Sequence, residues 1–358
     1  MNAAVKTVLW WGRFDPHYSR NRILRQAYAT LGWKIVDFQP LLSALGDFEA
    51  LLHRPAHADL VHVPCFRQRD IAAAARYARR HALPLLVDPL ISAYDKQVFE
   101  RAKFALDSTA ARRLRDWEQQ LLCSADAVLA DTPAHAHFFC ETLGVEPQRL
   151  HVVYVGAEEP LFMPVATRAP NQPIEVLFYG SFIALQGPQV IIEAACQYSG
   201  APVQWTLLGD GPMRAECARR AQGLSNVRFE DWLAYTHLPE RIQRADILLG
   251  VFGASAKAGR VIPNKVFQAL ACAKPLVTCL APAYPSALGN ADGGIAWVPA
   301  GDPAALATCV AHWASQPQTL AAHGRAGRAS YERFFSNATI RAQLTAALSA
   351  LGFTPAGE

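Results

Sequence analysis

Residues 257–275 read Lys-Ala-Gly-Arg-Val-Ile-Pro-Asn-Lys-Val-Phe-Gln-Ala-Leu-Ala-Cys-Ala-Lys-Pro. The apolar run Ile247–Val251 precedes them and reads as a strand, followed by a small basic loop. Pro263 stands where a helix would open, because the first helical turn has no use for the N–H that proline lacks. Val266, Phe267, Leu270 and Ala271 form an inward stripe at helical spacing, while Asn264 and Gln268 lie four apart on another face with Lys265 beside them. The free N–H groups and positive dipole end of that helix, with Lys257, Arg260 and Lys265 around them, suit a diphosphate. An ordinary strand-loop-helix with solvated lysines is the plainer reading of the same residues.

Outward from this stretch the unit repeats. In the first half, strands are expected at Thr7–Trp11, Lys34–Phe38, Leu60–His62, Pro84–Asp88 and Ala127–Ala130, and helices at Arg20–Leu31, Asp70–His81, Ala110–Cys123 and Ala134–Leu143. In the second, strands are expected at Glu175–Tyr179, Gln204–Leu208, Val227–Phe229, Ile247–Val251 and Leu276–Cys279, and the chain ends in helices. Alternating strands and helices imply parallel sheets covered on both faces. The aperiodic, proline-rich stretch 164–173 reads as a linker. The expected architecture is α/β: a Rossmann-like domain over 1–163, a linker over 164–173, a second Rossmann-like domain over 174–335, and a C-terminal helix over 336–358 returning to the first. The carboxyl ends of both sheets would face a central cleft.

Composition narrows the function. The chain has 358 residues, half of them hydrophobic, which is enough for two cored domains. A net charge of +4, with no basic run interleaved with aromatics, argues against nucleic acid as a partner. No apolar stretch reaches the ~18 residues of a membrane span. The opening Met-Asn-Ala-Ala-Val-Lys shows no signal-peptide pattern. The eight cysteines contain no C-x-x-C pair and mostly sit in apolar runs, as reduced core residues of a cytoplasmic protein would. The basic segment Arg76-Tyr-Ala-Arg-Arg-His81 could lie on the inner face of an anionic membrane, although a solvated face is the simpler reading.

The motifs, taken in order, resemble those of GT-B-fold glycosyltransferases of the family 4 group (group 1 glycosyltransferases). Phe178-Tyr-Gly-Ser-Phe-Ile-Ala-Leu-Gln-Gly187 resembles the glycine loop that opens the donor domain, and Leu207-Leu-Gly-Asp-Gly-Pro212 its second strand-end loop. Asn226-Val-Arg-Phe-Glu-Asp-Trp232 resembles the strand leading to the base pocket, and Arg260 to Pro275 the donor-binding helix. Trp11-Gly-Arg-Phe-Asp-Pro-His-Tyr-Ser-Arg-Asn21 and Asp88-Pro-Leu-Ile-Ser-Ala-Tyr-Asp95 resemble acceptor-side loops. The likeness implies transfer of a sugar from a nucleotide-sugar to a hydroxyl acceptor (a saccharide, lipid-linked saccharide or small molecule). It further implies retention at the anomeric carbon, no cofactor, and a place in surface polysaccharide or glycolipid assembly.

It also implies site residues. Donor contacts fall on Gly180, Ser181, Gln186, Gly187, Gly209, Asp210, Gly211, Trp232, Lys257, Val261, Ile262, Pro263, Asn264 and Gln268. Acceptor contacts fall on Gly12, Arg13, Asp15, Tyr18, Arg20, Asn21, Ser92, Tyr94 and Asp95. Many relatives carry a basic residue where Ser181 and Gln186 stand, and paired glutamates near the positions of Arg260 and Gln268. Lys257, Arg260 and Lys265 are read as supplying the missing charge, with Arg260 and Lys265 stabilising the leaving group.

Asp88, at the end of a buried strand, could act as a general base or orient the acceptor; pairing with a nearby arginine fits equally well. Arg13 and Arg20 could bind an anionic acceptor or be surface charges. Trp232 could frame the nucleotide base or sit in the core. There is no D-x-D, and His57, His62, His135 and His137 lack metal spacing, so transfer without a metal is expected. A nucleotide-sugar epimerase, a phosphorylase and a non-catalytic nucleotide-sugar binder are the other readings.

Overall fold

The computed structural model describes residues 5–53, 55, 57–166, 168–289 and 294–354; Thr167 of the proline-rich stretch and residues 355–358 of the C-terminal segment lie outside them. The chain divides into two units. Unit 1 takes the described residues up to Gly156 and those from Asn337 onward; unit 2 takes those of Ala157–Ser336. Residues 164–173 thus fall on the unit 2 side of the division.

In unit 1, β1 (Thr7–Trp11), β2 (Lys34–Phe38), β3 (Leu60–Val63), β4 (Leu85–Val87), β5 (Ala127–Ala130) and β6 (Leu150–Val152) form one parallel sheet in the order β2-β1-β3-β4-β5-β6. The helices are α1 (Ser19–Thr30), α2 (Gly46–His53), α3 (Gln68–Arg80), the short α4 (Ala93–Asp95), α5 (Thr109–Leu122) and α6 (Pro133–Leu143). Strands β1, β3, β4 and β5 are buried at every residue, and their sequences are apolar throughout apart from Thr7 and His62. Ser108 and Thr132 cap α5 and α6 by accepting the N–H groups of Ala111 and His135.

In unit 2, β7 (Ile174–Tyr179), β8 (Val203–Leu208), β9 (Val227–Glu230), β10 (Ile247–Leu249), β11 (Leu276–Cys279) and β12 (Ile295–Val298) form the second parallel sheet, in the order β12-β11-β10-β7-β8-β9. Its helices are α7 (Pro188–Gln197), α8 (Arg214–Arg220), α9 (Leu238–Arg244), α10 (Asn264–Ala271), the short α11 (Ser286–Gly289), α12 (Pro303–Ala314) and α13 (Leu320–Phe334). Counted within the unit this is the Rossmann order 3-2-1-4-5-6, which reverses between β7 and β10. The loops after those two strands flank the crevice where such sheets bind ligands. In unit 1 the reversal falls between β1 and β3.

The cysteines are all unpaired. Four are buried, and Cys196 is exposed on α7, a departure from the core position expected of it.

The last helix, α14 (Asn337–Ala350), belongs to unit 1. Its Ile340, Leu344, Ala347 and Leu348 enter one core cluster with Val8, Leu24, Tyr28 and Leu60. Its Gln343 accepts the backbone N–H of Tyr154 at 3.1 Å. Leu344 is fully buried, so Leu344→Ala should lower the stability of unit 1 by about 2–5 kcal/mol. Urea unfolding followed through the unit 1 tryptophans checks this; an unchanged midpoint would mean that α14 does not hold the core.

Candidate functional site

At the β7–β10 reversal the loop Gly180–Gly187 follows one strand and the basic loop leading to Pro263 follows the other. The two loops meet closely. A Cβ on Gly187, whose φ is +72°, would stand 2.7 Å from the backbone of Phe252 and of Gly253. Glycine is therefore required there by contact between loops as well as by its left-handed backbone.

Helix α10 is buried from Lys265 to Ala271. This corrects the plainer reading of its lysine as solvated: Lys265 is 5% exposed, and its Nζ lies 3.6 Å from the centre of the Phe178 ring. That amine has no hydrogen-bond partner among the described residues. Burial holds it well below the usual lysine range. Gly180 leaves it room, since a Cβ there would come within 3.1 Å of Nζ.

Lys257 is fully buried and Arg260 half-buried; both are engaged by other groups of the protein. The three basic residues read together from the sequence thus have three different environments, and Lys265 is the one whose amine has no hydrogen-bond partner among the described residues.

Gln268 also differs from expectation. It is 3% exposed and held at both ends of its amide: Oε1 accepts from the Tyr179 hydroxyl at 3.0 Å, and Nε2 donates to the Tyr235 hydroxyl at 3.5 Å. Tyr235 in turn donates to Glu158 at 2.7 Å, and Tyr179 also reaches the carbonyl oxygen of Lys265. The amide fastens α10 to β7 and faces no open space.

The remaining expected donor residues sit around the same strand ends. Ser181 is exposed, and Gln186 leaves its Oε1 buried without a donor. Asp210 is exposed and accepts the N–H of Gly211 at 2.7 Å, while the N–H of Gly209 donates to the carbonyl of Glu230. Ile262 is buried, and Val261, Pro263 and Asn264 are half-buried. Trp232 is 64% exposed, which removes the core reading for it.

At the strand ends of unit 1 the expected acceptor residues divide. Arg13 and Asp15 are exposed and Tyr18 half-buried, on the loop after β1; Gly12 is buried against Asp70. Arg20 is not a surface charge. It is fully buried, its Nε donating to Asp88 at 2.8 Å and its Nη1 to the carbonyls of Val153 and Tyr154 at 2.7 Å each. Asp88 is likewise fully buried, so the arginine pairing, and not an open carboxylate, is what the structure contains. Asn21 is buried between the carbonyl of Asp15 and the thiol of Cys65.

Ser92, Tyr94 and Asp95 are also internal. The Ser92 hydroxyl and the N–H groups of Ala93 and Tyr94 all donate to the buried Glu118, at 2.6–2.9 Å. Asp95 lies 3.4 Å from Nε2 of His135, whose Nδ1 is 2.5 Å from Asp131. Sequence reasoning missed Glu118 and Asp131, since single carboxylates inside or just after an apolar element carry no spacing signal. Phe178 and Tyr179 were equally silent as a ring seat for a cation and an anchor for α10.

Removing Arg20 would leave Asp88 buried without its cation. Arg20→Met should destabilise unit 1 by about 3–5 kcal/mol at neutral pH, and adding Asp88→Asn should recover part of that. Denaturant melts of the single and double variants check it; additive losses would mean that the pair is not coupled.

Residues 13–156 match the family described as Glycosyl transferase 4-like domain, and residues 173–316 that described as Glycosyl transferases group 1. A D-inositol 3-phosphate glycosyltransferase of Segniliparus rotundus is 28% identical over 255 residues, 65% of this chain and 54% of that protein, so the match spans about half its length. D-inositol 3-phosphate glycosyltransferase 2 of Catenulispora acidiphila is 27% identical over 315 residues, 81% of this chain and 70% of that one. Among solved structures, Anabaena HepE in complex with UDP superposes with a TM-score of 0.69 at 16% identity, covering 97% of this chain and all of that one. With both sheets of the fold in place and both family domains matched in order, the chain belongs to the group 1, family 4-like glycosyltransferases of GT-B fold.

Proposed function

We propose that the β7–β10 strand ends hold the diphosphate of a nucleotide-sugar, and that the protein transfers the sugar to a hydroxyl acceptor with retention, in surface polysaccharide or glycolipid assembly. The observation that carries this is the buried, unpartnered amine of Lys265 in the first turn of α10. An amine held out of water beside a helix N-terminus is disfavoured alone and favoured by an anion. HepE has also been solved with UDP-glucose, which supports a uridine nucleotide as the first donor to try.

In the proposed reaction the bond between the anomeric carbon and the diphosphate oxygen breaks as the acceptor oxygen bonds to that carbon from the same side. The departing phosphate takes the acceptor proton. Charge grows on the diphosphate through the transition state, so an ammonium fixed at Lys265 is worth more there than in the ground state. Arg260, on its loop, would support it. The exposed loop residues Arg13 and Asp15 are proposed to meet the acceptor. Asp88 acts through Arg20, holding the start of α1, and does not touch substrate. No divalent ion is invoked: EDTA should leave turnover unchanged, and loss of activity restored by Mg²⁺ or Mn²⁺ would contradict this.

The pH dependence follows from the amine. Burial favours its neutral form in the free protein, and a bound diphosphate favours the ammonium. Donor binding therefore takes up a proton between the free and the bound pKa, and affinity falls as pH rises across that window. Lys265→Met should lower turnover by about 10²–10³ and raise the unfolding free energy of the empty protein by about 1–3 kcal/mol. Titration calorimetry with UDP, in buffers of different ionisation heat, should show proton uptake in the natural protein that the variant lacks. Failure of UDP and other nucleoside diphosphates to bind would sink the donor site; binding without turnover of any nucleotide-sugar would favour the non-catalytic binder.

A further inference from the structure

Two loops of unit 1 meet across the reversal between β1 and β3. Tyr18 closes the loop after β1 as the residue before α1, and Phe66 stands in the short loop after β3. Their ring centres are 4.9 Å apart, with the ring planes at 72°. Tyr18 is half-buried, whereas Phe66 is 40% exposed. Parallel sheets of this kind take ligands outside the carboxyl ends of their strands, at such a reversal.

The backbone of Phe66 is unusual. Its φ is +63°, in the left-handed region where glycine or asparagine is the ordinary residue and a bulky side chain is strained. With its ring this exposed, Phe66 is not a core residue, so core packing does not account for the strain.

The turn is held from three sides. The Phe66 N–H donates to the carbonyl of Pro89 at 3.5 Å, and Gln68 Nε2 donates to the carbonyl of Ile91 at 2.7 Å, both in the loop after β4. The Cys65 thiol donates to Asn21 of α1 at 3.2 Å. Arg67 donates to Asp70 at 2.6 Å and to the Ser43 hydroxyl at 3.3 Å. The neighbours of Phe66 thus fix a conformation that phenylalanine itself disfavours. Strained residues over-determined by their surroundings cluster at ligand sites.

The face of an aromatic ring is electron-rich and packs against polarised C–H groups. A pyranose offers such a face, with hydroxyls around its rim. The polar groups nearby suit hydroxyls better than a phosphate. Asp15 is exposed on the same loop as Tyr18, while Arg20 and Arg67 are occupied by Asp88 and Asp70. Burial pushes the Tyr18 phenol up, so it stays protonated and able to donate.

We propose that Phe66, walled by Tyr18, seats a pyranose ring of the acceptor and so selects a saccharide. This rests on the transferase reading above and adds to it a specificity residue on unit 1.

The test is saturation-transfer NMR of the full chain, with UDP present, against the methyl glycosides of glucose, galactose, mannose and N-acetylglucosamine. At least one should receive saturation, strongest on the C–H protons of one ring face. Phe66→Asn suits the left-handed backbone and removes the ring. It should hold or raise the melting temperature and bind UDP unchanged, while the glycoside signal falls at least about fivefold. Phe66→Tyr should retain the signal. No signal from any of the four, a signal confined to the methyl aglycone, an unchanged signal in Phe66→Asn or a lowered melting temperature in that variant would overturn the proposal. A glycoside signal that Phe66→Asn removes, in a natural protein that calorimetry shows not to bind UDP, would strike the donor site and support the Phe66 seat.

Discussion

An amine kept from water without a counter-charge is the constraint around which unit 2 is arranged. Lys265 lies over the ring of Phe178, which offers a cation partial compensation and no proton acceptor. Gly180 provides the space, and the Tyr179 hydroxyl pins the backbone of Lys265 and the side chain of Gln268 to β7.

Unit 1 treats its buried charges in the opposite way. Arg20 is answered by Asp88 and two carbonyls, His135 by Asp131 and Asp95, and Glu118 by a hydroxyl and two backbone N–H groups. A satisfied network rigidifies a strand end and leaves little for a ligand to claim. The two sheets thus share a layout and differ at their carboxyl ends: one pairs its buried ionisable groups internally, and the other holds a buried amine without a partner among the described residues. Of the acceptor residues expected in unit 1, those left accessible lie on the loop after β1.

Most of the architecture was legible from the pattern of residues. Ten of the twelve strands were found to within about a residue or two, most of them as the short apolar runs of fully buried parallel strands. The two that were not, β6 and β12, lie at sheet edges and are only partly buried, as are β2 and β9, which were found all the same. The exposure of Leu41, Leu42, Leu45, Phe48, Leu51 and Leu52 escaped notice for another reason: apolar residues look the same in a string of letters whether they point into a core or away from it.

The sequence by itself determined the α/β alternation, the two Rossmann-like series, the positions of the strand-end loops and the helix that opens at Pro263. These follow from local period, from glycine and proline placement and from the order of motifs, all of which are written along the chain. Tertiary structure alone decided which charged groups are spoken for. Asp88 and Arg20 are 68 residues apart, and Gln268 and Tyr179 are 89 apart. Burial and pairing across such separations set whether a lysine is a solvated ammonium or a buried amine, because the cost of a charge depends on what surrounds it in space and not on its neighbours in sequence.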